Sequence, residues 1–312
     1  MTSPHSSPIP VILDTDIGTD IDDTWAIAMM LRCPELDVKM ILSATGDTTY
    51  RAKIITRLLE VAGRTDIPVG IGIPQGKRAK PFYWTEPARR QQRWVENYNL
   101  TQYPGPLHTD GIDAMIRMIM DSPEIVTLIC IGPLPNIAEA LEREPSIAAK
   151  CRFVGMHGSI RIGYGKNSPV AEYNVFEEVL AAQKVFSAPW HEAIITPLDT
   201  CEAIVLTGEN YQSIFHSSDP LLQATIENYR IWSLPRKNHG EFFSQKSSTL
   251  FDTVAVYLAF STELLVMERM GVRISDDGFT VPDPAALPFS VAIDWKSLPA
   301  FEKFLTRRLL GE

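Results

Sequence analysis

Residues 9–31 read IPVILDTDIGTDIDDTWAIAMML. Ile9 to Leu13 is a short apolar run rich in β-branched side chains, which predicts a strand buried on both faces of a parallel sheet. Asp14, Asp16, Asp20, Asp22 and Asp23 follow within ten residues, with Gly18 permitting a tight turn. Trp25 to Leu31 then reads as a helix with Asp22 or Asp23 near its cap. Ligands of open α/β sheets bind at the carboxyl ends of strands, and this cluster sits at such an end.

Outward from this unit the same alternation continues. Val38 to Leu42 predicts a second strand, and Arg51 to Ala62 a helix that stops at Gly63. Ile67 to Ile71, Ile125 to Ile131, Arg152 to Met156 and Ala193 to Ile195 read as further strands. Residues 110–121, Asn136 to Arg143 and Val179 to Phe186 read as helices between them. The pattern implies an α/β fold with a mostly parallel, Rossmann-like central sheet covered by helices on both faces. Residues 205–262 are mainly helical, Gly271 to Ile293 suggests strands joined by turns, and Leu298 to Leu310 closes the chain as a helix. No linker-like stretch divides the chain, so 1–312 is expected to be one domain with 1–8 as a leader. Two segments, 74–109 and 157–172, resist assignment and have the character of functional loops.

With 45% apolar and 21% charged residues, the chain can bury an ordinary core. A net charge of −9 argues against nucleic acid as a partner. No apolar stretch approaches the ~20 residues of a membrane span, and the first residues do not read as a signal peptide. The expected location is the cytoplasm. Cys33, Cys130, Cys151 and Cys201 form no CxxC pair or metal-finger spacing, and they read as reduced, buried thiols.

Five carboxylates this close repel one another unless a cation neutralises them, and hard oxygen donors favour calcium or magnesium over zinc. Three other readings compete. The first is a solvated acidic turn with one aspartate as a cap. The second is an EF-hand, for which a loop starting at Asp14 would place Thr19 and Trp25 where glycine and glutamate belong. The third is a dehalogenase-type phosphatase with Asp14 as nucleophile.

Asp14-Thr-Asp16-Ile-Gly18 with Asp22-Asp23 resembles the DxDxGxDD signature of the inosine–uridine-type nucleoside hydrolases, lengthened by two residues so that Asp20 is surplus. Further resemblances follow in family order. Ile67-Pro-Val69 with Gly70 and Gly72 is similar to the third strand, Gly132-Pro-Leu-Pro-Asn136 to GPLTN, and Met156-His-Gly158 to MGG. Glu172-Tyr-Asn174 is similar to EFN and Pro197-Leu-Asp199 to PLD, and Asp252 leads a helix as the family's late aspartate does. The resemblance implies a nucleoside-hydrolase-like fold and hydrolysis of an N-ribosyl bond in a small-molecule nucleoside or related N-riboside. It implies Ca2+ held by Asp16, Asp23, Asp252 and the main-chain carbonyl of Ile131, and Asp16 as the base that takes a proton from water. Asp22, Glu172, Asn174 and Asp252 would bind sugar hydroxyls, Met156 would lie near the sugar, and Asp14 would support the residues that hold metal and sugar directly. Family members are homodimers or homotetramers, and the same assembly is implied here.

The pattern breaks on the side of the departing base. Phe251 stands where the family carries histidine, Asp47 where it carries asparagine, and Lys166 where a further asparagine is common, with Asn167 one place off. The alternative is therefore a calcium-containing sugar- or nucleoside-binding homologue with impaired catalysis. Trp84, Trp232 and His239 are candidate substrate contacts on the base side, with Tyr83 and Tyr229 beside them. Asp47 and Asn167 are candidates as well, although Asp47 in the bland reading simply caps the next helix. His157 and His108 are expected to have local main-chain or capping roles.

Overall fold

A computed structural model describes residues 7–74, 89–235 and 239–312, and the side chains of His239 and Glu241 lie outside that description. Ten strands make one sheet: β1 (Ile9–Thr15), β2 (Leu36–Ser43), β3 (Val69–Ile71), β4 (Leu107–His108), β5 (Val126–Cys130), β6 (Cys151–Met156), β7 (Glu192–Thr196), β8 (Leu265–Ile274), β9 (Thr280–Pro282) and β10 (Pro288–Trp295). Their order is β4-β3-β2-β1-β5-β6-β7-β10-β8-β9. All neighbours from β4 to β10 run parallel, and β8 and β9 join antiparallel.

The period-2 pattern of β1 explains the layering. Val11 and Leu13 face one apolar cluster, and Ile12 faces another on the opposite side of the sheet. The first cluster takes the helices Asp22–Met30, Thr48–Val61 and Pro220–Ser233. The second takes Gly111–Asp121, Pro135–Arg143 and Val179–Phe186. All nine residues of the Asp22–Met30 helix are buried, which accounts for a sequence apolar all round after its first turn.

β1 has β2 on one side and β5 on the other, so the chain order reverses there. The carboxyl ends of β1, β5 and β6 therefore border a topological switch point, the usual ligand crevice of such sheets. The aspartate cluster opens directly into it.

Several boundaries differ from the sequence reading. The third strand starts at Val69 rather than Ile67, because Pro68 has no N–H to give the ladder and offers only its carbonyl to Ile41. The edge strand β4 was hidden in the unassigned 74–109 stretch, since two residues show no periodicity. The helix after the cluster begins at Asp22 with Ile21 at its cap, so Asp22 and Asp23 lie in the first turn and neither caps it. The four cysteines are free and buried, as expected. Among the described residues no helix is long and apolar enough to cross a membrane.

The Gly111–Asp121 helix reaches the sheet through a glycine contact. A Cβ on Gly70 would lie 2.3 Å from Met40 Cε and 2.9 Å from the Gly111 backbone. Gly70→Ala is expected to lower stability by about 1–3 kcal/mol through overpacking. Urea unfolding would measure this, and an unshifted midpoint would show that the contact relaxes freely.

Candidate active site

The crevice is a cavity of about 410 Å3, within the range of small-ligand sites. Asp16, Asp20, Asp22, Asp23, Glu172 and Asp252 supply carboxylates to its wall, joined by Thr19, Ile131, Met156, Asn174, Arg90, Tyr164, Tyr173 and Phe251. Asp16 follows the end of β1, Ile131 follows β5 and Met156 ends β6. A Cβ on Gly132 would sit 2.8 Å from Asp16 Oδ1 and 2.9 Å from Asp16 N, so the β5 turn approaches Asp16 as closely as it does only because Gly132 has no side chain.

Oxygen atoms from Asp22, Asp23 and Asp252 lie within 4.8 Å of one another, close enough to share a cation. The Asp22 and Asp252 carboxyl groups face each other at close range. Burial first, then repulsion from the neighbouring aspartates, pushes Asp22, Asp23 and Asp252 well above the ordinary carboxylate range. Asp16 is also raised by burial, opposed mainly by Arg51. Arg51 is itself buried; it donates through Nε to Thr45 O and through Nη1 to Ile17 O, and its Nη2 lies 3.7 Å from Asp16 Oδ2. The clustered ligand atoms are carboxylate oxygens, and their negative charge exceeds what Arg51 can offset, so the donor set fits a hard divalent cation.

Glu172 is the N-cap of the Tyr173–Phe176 turn. Its carboxylate accepts main-chain hydrogen bonds from Gly158, Asn174 and Val175 at 2.9, 2.8 and 3.4 Å. Burial nevertheless pushes it up to about 7. Asn174 Nδ2 donates to Met156 O at 3.0 Å and Ile131 O at 3.4 Å, tying β5 and β6 together across the site. The irregular 157–172 segment is held by Asp199, which accepts from the amides of Ile160 and Arg161.

A profile of the inosine-uridine preferring nucleoside hydrolase family matches residues 11–298. The chain belongs to that family. Nucleoside hydrolases cleave glycosyl bonds, so the chain is a glycosyl hydrolase. A protein described as probable uridine nucleosidase 2 of Arabidopsis thaliana is 26% identical over 273 residues, covering 86% of this chain and 83% of that one. The pyrimidine-specific ribonucleoside hydrolase RihA of Salmonella arizonae is 33% identical over 187 residues, 58% of this chain and 57% of that relative. Among solved structures, the plant nucleoside hydrolase PpNRh1 superposes with a TM-score of 0.80 at 24% identity, covering 97% of this chain and 99% of its own. A purine-preferring ribonucleoside hydrolase from Gardnerella vaginalis gives 0.76 at 19% identity, covering 97% and 98%. At these identities the structural likeness speaks to the nucleoside hydrolase fold alone.

The fold brings together Asp16, Asp22, Asp23, Ile131, Met156, Glu172, Asn174 and Asp252. The tightest carboxylate group includes Asp22, which the resemblance assigned to the sugar rather than the metal. Asp14 is fully buried behind the wall, accepting from Asn136 Nδ2 at 2.8 Å. It is therefore not exposed as a phosphatase nucleophile. Asp20 does line the cavity, so the two-residue insertion adds a carboxylate there.

Other expected contacts fall elsewhere. Asp47 caps the Thr48–Val61 helix through Tyr50 N at 2.9 Å and pairs with Arg89, away from the cavity wall. Asn167 spends its amide on Tyr164 O at 2.8 Å. Trp232 is buried against Tyr229, whose hydroxyl donates to Lys246 O. His157 is buried with Nε2 at 3.0 Å from Gly132 O, the main-chain role expected of it. His108 ends the edge strand β4. Trp84 and Tyr83 lie outside the described residues, as does the side chain of His239. Sequence reasoning missed Arg51, Arg90, Tyr164 and Tyr173. Their spacing carries no signal, because each reaches the site through a loop or from the inward face of a helix.

Two consequences can be tested. Asp47→Ala is expected to remove the cap, at about 1 kcal/mol, and to leave kcat/KM unchanged. A fall in kcat/KM beyond about tenfold, roughly 1.4 kcal/mol, would put Asp47 back in the site. The second concerns pH. Asp14 and Glu172 are raised from 3.8 and 4.5 to about 7, chiefly by burial. Their stabilising contribution is complete below the unfolded values and is lost as pH rises through about 7. His157 is lowered by burial from 6.5 to about 4, so its contribution runs the other way, weakening as pH falls through that window. Two carboxyls outweigh one imidazole. With chelator present, the melting temperature should fall between about pH 5 and about pH 7.5, and Asp14→Asn should flatten the decline. A rise over that range would contradict the assignment.

Proposed function

We propose that the chain hydrolyses the N-glycosidic bond of a ribonucleoside or related N-riboside with Ca2+ as cofactor, releasing ribose and free base. The observation that carries this reading is the convergence of Asp16, Asp22, Asp23, Glu172 and Asp252 on one cavity at the sheet's switch point. Asp16, Asp23, Asp252 and the Ile131 carbonyl would hold the ion, with Asp22 near enough to join them. When bound, the cation supplies positive charge that orients water and ribose hydroxyls and makes the water more acidic.

The remaining chemistry belongs to the protein. Cleavage of an N-riboside passes through an oxocarbenium-like state with positive charge on the sugar. The preorganised carboxylates surround that charge at no reorganisation cost. Asp16 accepts the proton of the attacking water, and Arg51 behind it favours the ionised form that can do so. Asp22, Glu172, Asn174 and Asp252 bind sugar hydroxyls, and Met156 packs beside the ring. The working unit on this reading is a homodimer or homotetramer in the cytoplasm, and sedimentation velocity would give its size.

The test is release of free ribose from a panel of purine and pyrimidine ribosides. Asp16→Asn should lower kcat by about 10²–10⁴-fold. Calorimetry on chelated protein should show one calcium per chain and a higher melting temperature on binding. Undiminished turnover by Asp16→Asn would remove Asp16 as base, and a protein that ignores chelation would remove the cofactor.

A further inference from the structure

Resting on the hydrolase reading, we infer that the preferred leaving group is a cationic aromatic base, such as a pyridinium or an N7-alkylated purine, which departs as a neutral molecule. Three features of the cavity lead there.

The first is an aromatic wall beside the acidic floor. Phe251 and Tyr164 both line the cavity and meet edge to face, with ring centroids 6.3 Å apart at 87°. Phe251 directly precedes Asp252, so its ring stands next to the carboxylates that surround the sugar. Tyr164 is set in place by a tight turn. Gly163 and Asn167 form a bridge, Asn167 Nδ2 donates to Tyr164 O, and Gly165 N donates to Glu202. Gly165 and Lys166 adopt positive φ to close this turn. A planar base next to the ribose would meet these rings.

The second is charge. Six carboxylates line the cavity, and among the described lining residues Arg90 is the one cation. One divalent ion leaves a negative excess. A positively charged base is drawn in by that excess and stabilised by the faces of the aromatic rings.

The third is proton balance. A neutral nucleoside expels its base with an added electron pair, and the base must gain a proton as the C1′–N bond breaks. Phe251 has no proton to give, and the described lining residues offer no histidine or lysine in its place; the groups there that can carry a proton are the phenols Tyr164 and Tyr173 and the carboxyls on the sugar side. A cationic riboside needs no such proton. The C1′–N electron pair returns to the ring nitrogen and cancels its formal charge, while water forms the new C1′–O bond and gives its proton to Asp16. The products are ribose, neutral base and one proton.

Guanosine and 7-methylguanosine differ by one methyl group and one charge, which makes them the natural pair. We would measure kcat/KM for both, and for inosine, uridine and nicotinamide riboside, each divided by its non-enzymatic rate at the same pH. The expected result is a preference for the cationic partner of about 100-fold or more, the lower bound of what a proton donor contributes. Phe251→His should narrow the 7-methylguanosine to guanosine ratio by about tenfold or more, and Tyr164→Phe should leave that ratio where it was. Normalised rates that are equal for the pair, or higher for guanosine, overturn the inference while leaving the hydrolase reading intact. So does a Tyr164→Phe variant that loses only the neutral substrates, since the phenol would then be the acid. Ribose release from none of the compounds overturns the hydrolase reading itself. In that event calorimetry still decides the charge preference, with tighter binding of 7-methylguanosine supporting it and equal binding of the two removing it.

Discussion

Six carboxylates share one cavity, five of them buried (Asp16, Asp22, Asp23, Glu172 and Asp252) and Asp20 exposed, and their mutual repulsion is the constraint that the surrounding structure answers. Burial pushes Asp22 and Asp252 well above the ordinary carboxylate range, and Asp14 and Glu172 up to about 7. Part of the answer lies in the backbone. Asp22 and Asp23 occupy the first turn of one helix, Asp252 stands at the start of the Thr253–Leu258 helix without a side-chain capping bond, and Glu172 caps the Tyr173–Phe176 turn. Helix starts present free N–H groups and a partial positive charge, so each carboxylate meets a favourable main-chain field. The remainder falls to Arg51 and, on the reading proposed above, to the bound ion.

A second layer keeps these groups in register. Asn136 donates to Asp14 and to Ser43 O and accepts from Ile73 N, linking the ends of β1 and β2 to the chain after β3. His157 reaches Gly132 O, and Gly132 in turn lies against Asp16. Gly18, at φ +106°, leaves room for Tyr50, whose hydroxyl donates to Gly18 O and accepts from Gln91 N. The adjacent Arg90 amide also bonds Gly18 O, and this brings Arg90 to the cavity mouth. These residues touch neither sugar nor metal on the proposed reading. Each sets the position of one that does, and a displacement near 1 Å in such a group is enough to impair catalysis.

The local motifs proved legible to different depths. The strand–aspartate–helix unit at residues 9–31 could be recognised because strand burial, turn chemistry and helical patterning act over a few residues. Glu172-Tyr-Asn174 and Asp252 could be named by resemblance, and both reach the cavity. Asp47 shows the limit. The same residue type after β2 could cap a helix or line a site, and only the approach of Tyr50 N and Arg89 decides between them. Trp232 and Asn167 are not among the residues that line the cavity, and their surroundings could not be read from sequence, since an aromatic or an amide in a loop-rich stretch has many possible neighbours.

What the sequence determined by itself was the alternation of strands and helices, the position of the acidic cluster at a strand end, and the hard-oxygen character of its donors. These depend on residue type and short-range periodicity, which survive in one dimension. The tertiary structure alone decided that Asp22 joins Asp23 and Asp252, that a buried Arg51 backs Asp16, and that Tyr164 faces Phe251 across the mouth of the site. Those pairings join segments far apart in the chain. Their geometry depends on how the helices pack against the two faces of the sheet, and no local pattern records it.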